Sequence, residues 1–362
     1  MLKSNKLLLA GLFCLTALFS VAQTSAPKYS NEFLDVGVGA RALGMSNAQV
    51  ASVNDVTAGY WNPAGLTGIT TTFSLGLMHS EYFAGIAKYD YAGFAKRIDT
   101  NSVFAVSMIR FGVDNIPNTT ELIDANGNVN YDNVSTFSSA DYAFLLSYAR
   151  VAKIKGLHYG GNVKIIRRVV GDFAGAWGFG FDLGAQYDYK KWKFGAMFRD
   201  VTSTFNAWSF NLSDAMKQTF IATGNQLPTN SVEVTLPRLL LGAARKYEFG
   251  NGRYSIMPEV DVDVTFDGQR NVLLHSSAAS ADPHMGIEAG YKNMIFLRGG
   301  IGNIQTETDI SGNKFTSFMP NIGVGIKFKA FTLDYALTDI GDQSVALYSN
   351  VFSLKLDLNH RN

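Results

Sequence analysis

The sequence predicts an all-β protein: a fourteen-stranded antiparallel transmembrane β-barrel with an N-terminal plug in the lumen. Three observations carry that expectation. From about residue 70 onward, apolar and polar residues alternate with period two in run after run. The connections between those runs sort by parity into short and long sets, which suits a barrel with turns on one side of a membrane and loops on the other. Ahead of the runs lies one irregular stretch, residues 37–66, rich in glycine and alanine, with a Trp61-Asn62-Pro63-Ala64-Gly65 turn and no sustained hydrophobic period.

In chain order, residues 1–22 have the layout of a cleaved secretory signal: Lys3 and Lys6, the apolar run Leu7–Phe19, and Ser20-Val21-Ala22 before Gln23. The apolar run is shorter than the roughly 20 residues a spanning helix needs. Cys14 is the single cysteine and falls in this segment; Phe13 before it argues against a lipoprotein signal, so the exported chain is expected to lack disulfide and thiol chemistry. Residues 23–69 are expected to form the leader and plug, and 70–362 the barrel. Inside the plug, Asp55 is placed to cap a short helical turn through Tyr60, and Asn62-Pro63 to cap and open another.

The strands are expected at roughly 70–80, 86–97, 101–112, 137–150, 155–168, 176–189, 191–200, 237–248, 252–265, 284–292, 294–301, 318–328, 330–338 and 349–358. Alternation is clearest where Trp177, Phe179, Phe181 and Leu183 oppose Gly178, Gly180, Asp182 and Gly184, and where Ile256, Val260, Val262 and Val264 oppose Met257, Glu259, Asp261 and Asp263. A soluble sandwich would show the same alternation, but it would not sort its connections by parity. Those after the even strands are short, such as Asp99-Thr100 and Lys190, whereas those after strands 3, 7, 9, 11 and 13 are long, up to 113–136 and 201–236. The inward set is expected to be charged and of mixed sign: Lys88, Asp90, His158, Lys164, Arg168, Asp182, Asp261, Asp263, Glu288, Arg298, Lys327 and Asp334. Phe104, Val106, Met108 and Leu145 make both faces of strands 3 and 4 apolar, leaving room for an apolar lumen patch or a protein contact.

Composition fits this picture. Charged residues are 17%, aromatics 13%, glycines number 35 and the formal net charge is +1, so no basic field attracts nucleic acid. No enzyme emerges from the motifs. Gly37-Val38-Gly39-Ala40-Arg41-Ala42 lacks the βαβ setting of a dinucleotide loop. Asp124-Ala125-Asn126-Gly127-Asn128 opens like a calcium loop without its closing glutamate, and so reads as a polar turn. Glu259, Asp261 and Asp263 share one strand face without converging partners and are expected to line a solvated lumen; the histidines show no ligand spacing, and no cofactor or metal is expected. The loops carry more. Phe205, Trp208, Phe210, Met216 and Phe220 fall in 201–236, where Ser213 is placed to cap a helix from Asp214 to about Ile221. Ile116, Leu122 and Tyr131 fall in 113–136. Apolar groups on outer loops read equally as a recognition surface or as a lid folded over the mouth.

Gly39-x-x-Ala42-x-Gly44-Met45, followed by Asn54-Asp55 and Tyr60-Trp61-Asn62-Pro63-Ala64-Gly65-Leu66, resembles the plug-region signature of FadL-like outer-membrane barrels. The plug-motif residues are thus Gly39, Gly44, Asp55, Trp61, Asn62 and Pro63. The leader Lys28-Tyr29-Ser30-Asn31-Glu32-Phe33-Leu34, joined directly to Gly37–Met45, is similar to that of the PorV/PorQ family of the type IX secretion system. The likeness covers the exported chain in layout and reaches specific motifs up to about residue 66. It implies an outer-membrane protein that binds the C-terminal signal domain of secreted cargo at its outer side, docks beside a giant translocon barrel and passes cargo to a surface sortase. The plug signature is shared with hydrocarbon transporters, so the alternative is a FadL-type transporter of hydrophobic small molecules, marked by a continuous apolar tunnel past Trp61 and Pro63. A barrel that only anchors a surface complex is a third reading.

Overall fold

The computed structural model describes residues 30–122, 128–308, 311–340 and 348–359. The expected signal segment 1–22, Ile123 and most of the calcium-like stretch Asp124–Asn128 lie outside the described residues. Eighteen ladder segments form one closed antiparallel sheet; seventeen of them make up fourteen membrane-crossing strands, and the two-residue segment Leu274–His275 pairs with Ala281 and Ser280 beside them. These are β1 Phe73–Tyr82, β2 Ala87–Arg97, β3 Ser102–Asn118, β4 Ser135–Val151, β5 Leu157–Val170 and β6 Ala174–Tyr189. β7 runs Trp192–Arg199 and, after a break, Thr204–Phe210; β8 comprises Ser231–Thr235, Arg238–Arg245 and Tyr247–Phe249. Then follow β9 Tyr254–Thr265, β10 Ser280–Tyr291, β11 Ile295–Thr308, β12 Lys314–Phe328, β13 Phe331–Thr338 and β14 Ser349–Leu358. Closure comes from β1 on β14, in register from Phe73 opposite Leu358 to Glu81 opposite Asn350. A closed sheet leaves no backbone edge to satisfy in hydrocarbon, which is why this architecture can cross a membrane. No helix among the described residues is long and apolar enough to do so.

Side chains obey the pleat. Leu297, Val324, Ile326 and Leu333 point outward and are half exposed, a greased exterior with no protein cover. The inner face is filled by residues 30–69. These form short pieces only: a 3₁₀ turn Glu32–Leu34, α1 Ala40–Leu43, α2 Ala58–Trp61 and a 3₁₀ turn Pro63–Gly68. Their apolar residues join those of the wall in one core, where Val56, Tyr60 and Leu66 pack with Tyr91, Ile109 and Leu145. The apolar inner patch on strands 3 and 4 therefore serves as the seat of the plug.

Two sequence expectations need correction. Lys88 and Asp90 face outward, because Tyr89 and Tyr91, their neighbours in the alternation, are the residues buried against the plug. Glu259 and Asp261 do not line a solvated lumen; both are buried under the plug backbone. Strand ends also run further than expected. β3 and β4 reach Asn118 and Ser135, and β7 resumes at Thr204 inside what reads as loop.

Candidate functional site

The plug is held by carboxylates on the neighbouring strands β9 and β10. Asp261 Oδ2 accepts from the backbone N–H of Gln49 (2.7 Å) and Val50 (2.8 Å), and Glu259 Oε1 accepts from Ala51 (2.8 Å) and Ser52 (3.1 Å). Four main-chain donors that no helix or strand would satisfy are thus paired inside the barrel. Arg41 Nε and Nη2 grip Glu288 at 2.9 and 3.2 Å, and Arg298 bridges Glu288 and Asp334 at 2.8 and 2.7 Å.

The plug-motif residues each make a specific contact. Gly39 sits at φ +90° before α1, and its N–H donates to Met78 Sδ at 2.9 Å. Gly44 lies against β12 so closely that a Cβ there would meet Gly323 Cα at 3.0 Å. Asp55 accepts from the Thr57 N–H at 2.9 Å and pairs with Lys355 at 3.1 Å; the N-cap of α2 is Thr57 rather than Asp55, and no side chain caps that helix. Trp61 Nε1 donates to the Val38 carbonyl at 2.8 Å, with Tyr60 edge-on at 4.8 Å. Asn62 is fully buried; its Oδ1 accepts from Ala64 N, and its Nδ2 donates to the carbonyls of Val50 and, on β6, Ala185. Pro63 opens the 3₁₀ turn and packs on Gly160 and Gly184, where any side chain would collide with it.

Above the plug, a vestibule of about 670 Å³ has Trp61 on its lining together with Glu32, Asp35, Arg199, Arg238 and Arg270. The break in β7 at residues 200–203 is filled rather than open. Buried Lys164 bridges Asp182 (3.1 Å) and Asp200, and the Asp200 N–H donates to Asp182 at 2.9 Å.

The second feature lies on the side of the long loops. A hollow of about 830 Å³ collects Trp208, Phe210, Met216 and Phe220 with Pro117, Phe137, Phe173 and Val232. Its roof is α3, Asp214–Ala222, capped by Ser213, whose hydroxyl accepts from Met216 N at 3.2 Å. Thr219 ties that helix to the other long loop by donating to the Thr120 carbonyl at 3.1 Å. One wall is held by Arg168, which pairs with Asp141 at 2.8 Å and lies 5.0 Å over the Trp208 ring, while Trp208 Nε1 donates to Glu233 at 2.8 Å.

The remaining loop candidates are elsewhere. Phe205 is half exposed on the outer wall, Tyr131 is 77% exposed in a 3₁₀ turn, Leu122 is in a turn, and Ile116 lines a separate groove with Ile86. Phe137 and Phe173, which meet edge-on at 4.8 Å in the hollow, escape sequence reading because they occupy strand-end positions that any barrel would fill with aromatics.

A family model described as "Type IX secretion system protein PorV" matches residues 21–236, more than half of the chain. The chain belongs to the PorV family. That membership assigns it to the outer-membrane components of type IX secretion, and the PorV-family match runs from the plug through the whole of the loop hollow's roof. A comparison with curated protein sequences returned no significant match. Among solved structures, the chain is similar to the Ralstonia pickettii toluene transporter TbuX (15% identity, 89% of this chain and 99% of that one, TM-score 0.53). It is also similar to the P. putida toluene transporter TodX (13%, 90% and 99%, 0.54) and to a Pseudomonas aeruginosa FadL homologue (12%, 89% and 98%, 0.52). These likenesses give the fold: a FadL-like barrel of the outer membrane.

Proposed function

We propose that this PorV-family barrel carries secreted cargo by its C-terminal signal domain in the loop hollow beside α3, holds it next to the translocon, and releases it to a surface sortase. The observation that carries the reading is the hollow itself. Trp208, Phe210, Met216 and Phe220 converge there on the outer side, in a roomy apolar site whose rim is polar, which is the make-up of a protein-recognition hot spot.

A transporter of hydrophobic small molecules would need an apolar route past Trp61 and Pro63 and a way out through the wall. The vestibule over Trp61 mixes apolar groups such as Val36, Leu43 and Phe83 with the charged Glu32, Asp35, Arg199, Arg238 and Arg270 rather than offering a continuous apolar route, and the β7 break is filled by the Lys164–Asp182–Asp200 cluster, so this second reading has less to support it.

The test is replacement of Trp208, Met216 and Phe220 by serine in the full chain. The barrel is expected to keep its heat-modifiable mobility while recovery of cargo signal domain on the purified protein drops at least tenfold. Undiminished cargo recovery would refute the assignment.

A further inference from the structure

The short-turn end of the barrel, which faces the periplasm, carries charge of one sign over much of its rim. The turns joining β6 to β7, β8 to β9, β10 to β11 and β12 to β13 contain Lys190, Lys191, Arg253, Lys292 and Lys329 and no acid. Aromatic rings stand just inside these turns, and cations lie over them: Lys190 over Tyr189 at 5.2 Å, Lys292 over Tyr291 at 5.4 Å and Lys329 over Phe328 at 5.4 Å. Aromatic girdles of this kind settle at headgroup depth, where long basic side chains reach the lipid phosphates. On the β6–β8 side of the rim, Asp188 and Glu248 are already taken, by Lys193 at 2.8 Å and Lys246 at 2.7 Å.

One cation of the belt is left without an anion. Arg245 closes the pairing of β8 with β7, opposite Trp192. Toward the membrane centre the outward rows beside it are all apolar: Ala243 opposite Phe194, Leu241 opposite Ala196 and Leu239 opposite Phe198. Arg245 is thus the first polar group met on leaving hydrocarbon along this seam. Its guanidinium lies 5.1 Å over the Trp192 ring and 4.8 Å over that of Tyr247. Its Nε is buried with no hydrogen-bond acceptor, and it makes no ion pair among the described residues. Two ring faces hold a guanidinium in place, but they do not satisfy its N–H donors. The strand ends leave space for a group that would. β8 runs on past β7 through Tyr247–Phe249, paired there with β9. The β6–β7 turn stops beside the start of this overhang, where the Lys246 N–H donates to the Lys191 carbonyl at 3.0 Å. The two hairpins therefore form a step on the outer surface, with Arg245 and Trp192 in its angle.

We propose that this step binds the phosphodiester headgroup of an anionic glycerophospholipid of the inner leaflet, with Arg245 on the phosphate oxygens and Lys190 and Lys191 beside the rest of the headgroup. Depth and charge select that occupant. A phosphodiester is the anion that a bilayer places at this level, and the planar fork of a guanidinium matches two of its oxygens. The apolar rows above Arg245 offer a wall for the acyl chains. With Asp188 and Glu248 engaged by lysines, no free carboxylate stands ready for the ammonium of a zwitterionic headgroup, so a headgroup of net negative charge fits better. The site lies at the end of the barrel opposite the loop hollow and does not depend on what that hollow binds.

The test titrates the full chain in detergent with phosphatidylglycerol or with phosphatidylethanolamine and counts retained lipid by native mass spectrometry. One phosphatidylglycerol is expected to stay bound at a concentration at least tenfold below that needed for phosphatidylethanolamine. Arg245→Gln, checked for heat-modifiable mobility, should abolish that difference. A turn variant, Lys190→Gln with Lys191→Gln, leaves the strands untouched and should narrow it at least threefold. Lys329→Gln, in the β12–β13 turn of the same rim, should leave it unchanged. Millimolar inorganic phosphate should not displace the lipid, because it has no chains to lie on the wall. Equal retention of the two lipids, a preference that survives Arg245→Gln, an equal loss in Lys329→Gln or displacement by inorganic phosphate would overturn the proposal.

Discussion

Asn62 shows at the residue scale how the plug is fixed. Its side chain both caps the 3₁₀ turn that follows and donates across to the backbones of Val50 and Ala185, so one amide joins plug to plug and plug to wall. Asn62→Ala strips a cap and leaves buried carbonyls without a donor, and is expected to cost about 2–4 kcal/mol of plug stability. Hydrogen–deuterium exchange should then find the amides of residues 50–66 faster while those of β9 hold. A second residue-scale effect concerns pH. Burial, with the adjoining Asp35 carboxyl, pushes Glu32 up to about 8 against the pull of Arg238 and Arg270. Burial would raise Asp35 too, but Arg238 beside it and the hydrogen bond from Glu32 bring it to about 2. Glu32 is therefore protonated in the folded protein over a window, from its ordinary 4.5 to about 8, in which the unfolded chain has released that proton. The folded state binds the extra proton, so stability falls as pH rises through that window. Glu32→Gln cannot lose a proton; denaturant midpoints of variant and wild type should coincide near pH 4 and separate in favour of the variant up to about pH 8, with a constant gap beyond.

Among the elements, β6 sets the terms on which wall and plug meet. In its inward row, Gly184 lets the plug come within contact distance: a Cβ there would fall 2.2 Å from Asn62 Oδ1 and 2.8 Å from Pro63 Cδ, whereas one at Gly178 or Gly180 would meet Asn206 or Thr204 of β7. Neither group can retreat, so Gly184→Ala should lift the Pro63 turn off the wall, and protease cleavage within residues 50–69 should rise at least tenfold in a barrel that still folds. The same row marks how far the sequence could be read. The crossing strands were legible because lipid on one side and a filled lumen on the other enforce strict alternation, as from Trp177 to Asp188. Strand ends were not, because above the membrane that constraint lapses: β3 continues past a bulge at Val113–Ile116 and through Pro117, and β7 resumes after Asp200–Ser203. Orientation failed on β2, where tyrosines and charges alternate and only the plug decides that Tyr89 and Tyr91 turn inward. The convergence of Trp208, Met216 and Phe220 was half legible. Their apolar character on a loop announced a site, and Ser213 announced the helix, but the partners Phe137 and Phe173 come from strand ends distant in sequence.

Taken whole, the molecule is a cylinder closed twice, once by the ladder between β1 and β14 and once by its own N-terminal segment. The two closures differ in kind. The ladder is continuous backbone hydrogen bonding in a medium with no competing water, so it resists denaturant strongly. The plug is held by short helices, carboxylates on backbone N–H groups and the Arg41–Glu288–Arg298 chain, contacts that urea and water can replace one at a time. Their free energies of opening should therefore be separable, the plug forming a local unit of lower stability than the barrel. Single-channel recording tests this directly. In planar bilayers the intact protein should pass no sustained current, since Tyr60, Trp61 and Leu66 are buried across the lumen. At urea concentrations that leave the barrel's heat-modifiable mobility intact, reversible openings should appear, and Gly184→Ala or Asn62→Ala should bring them on at lower urea. Steady conductance without denaturant would show the plug does not seal, whereas current appearing only when the strands themselves melt would make plug and wall a single cooperative unit.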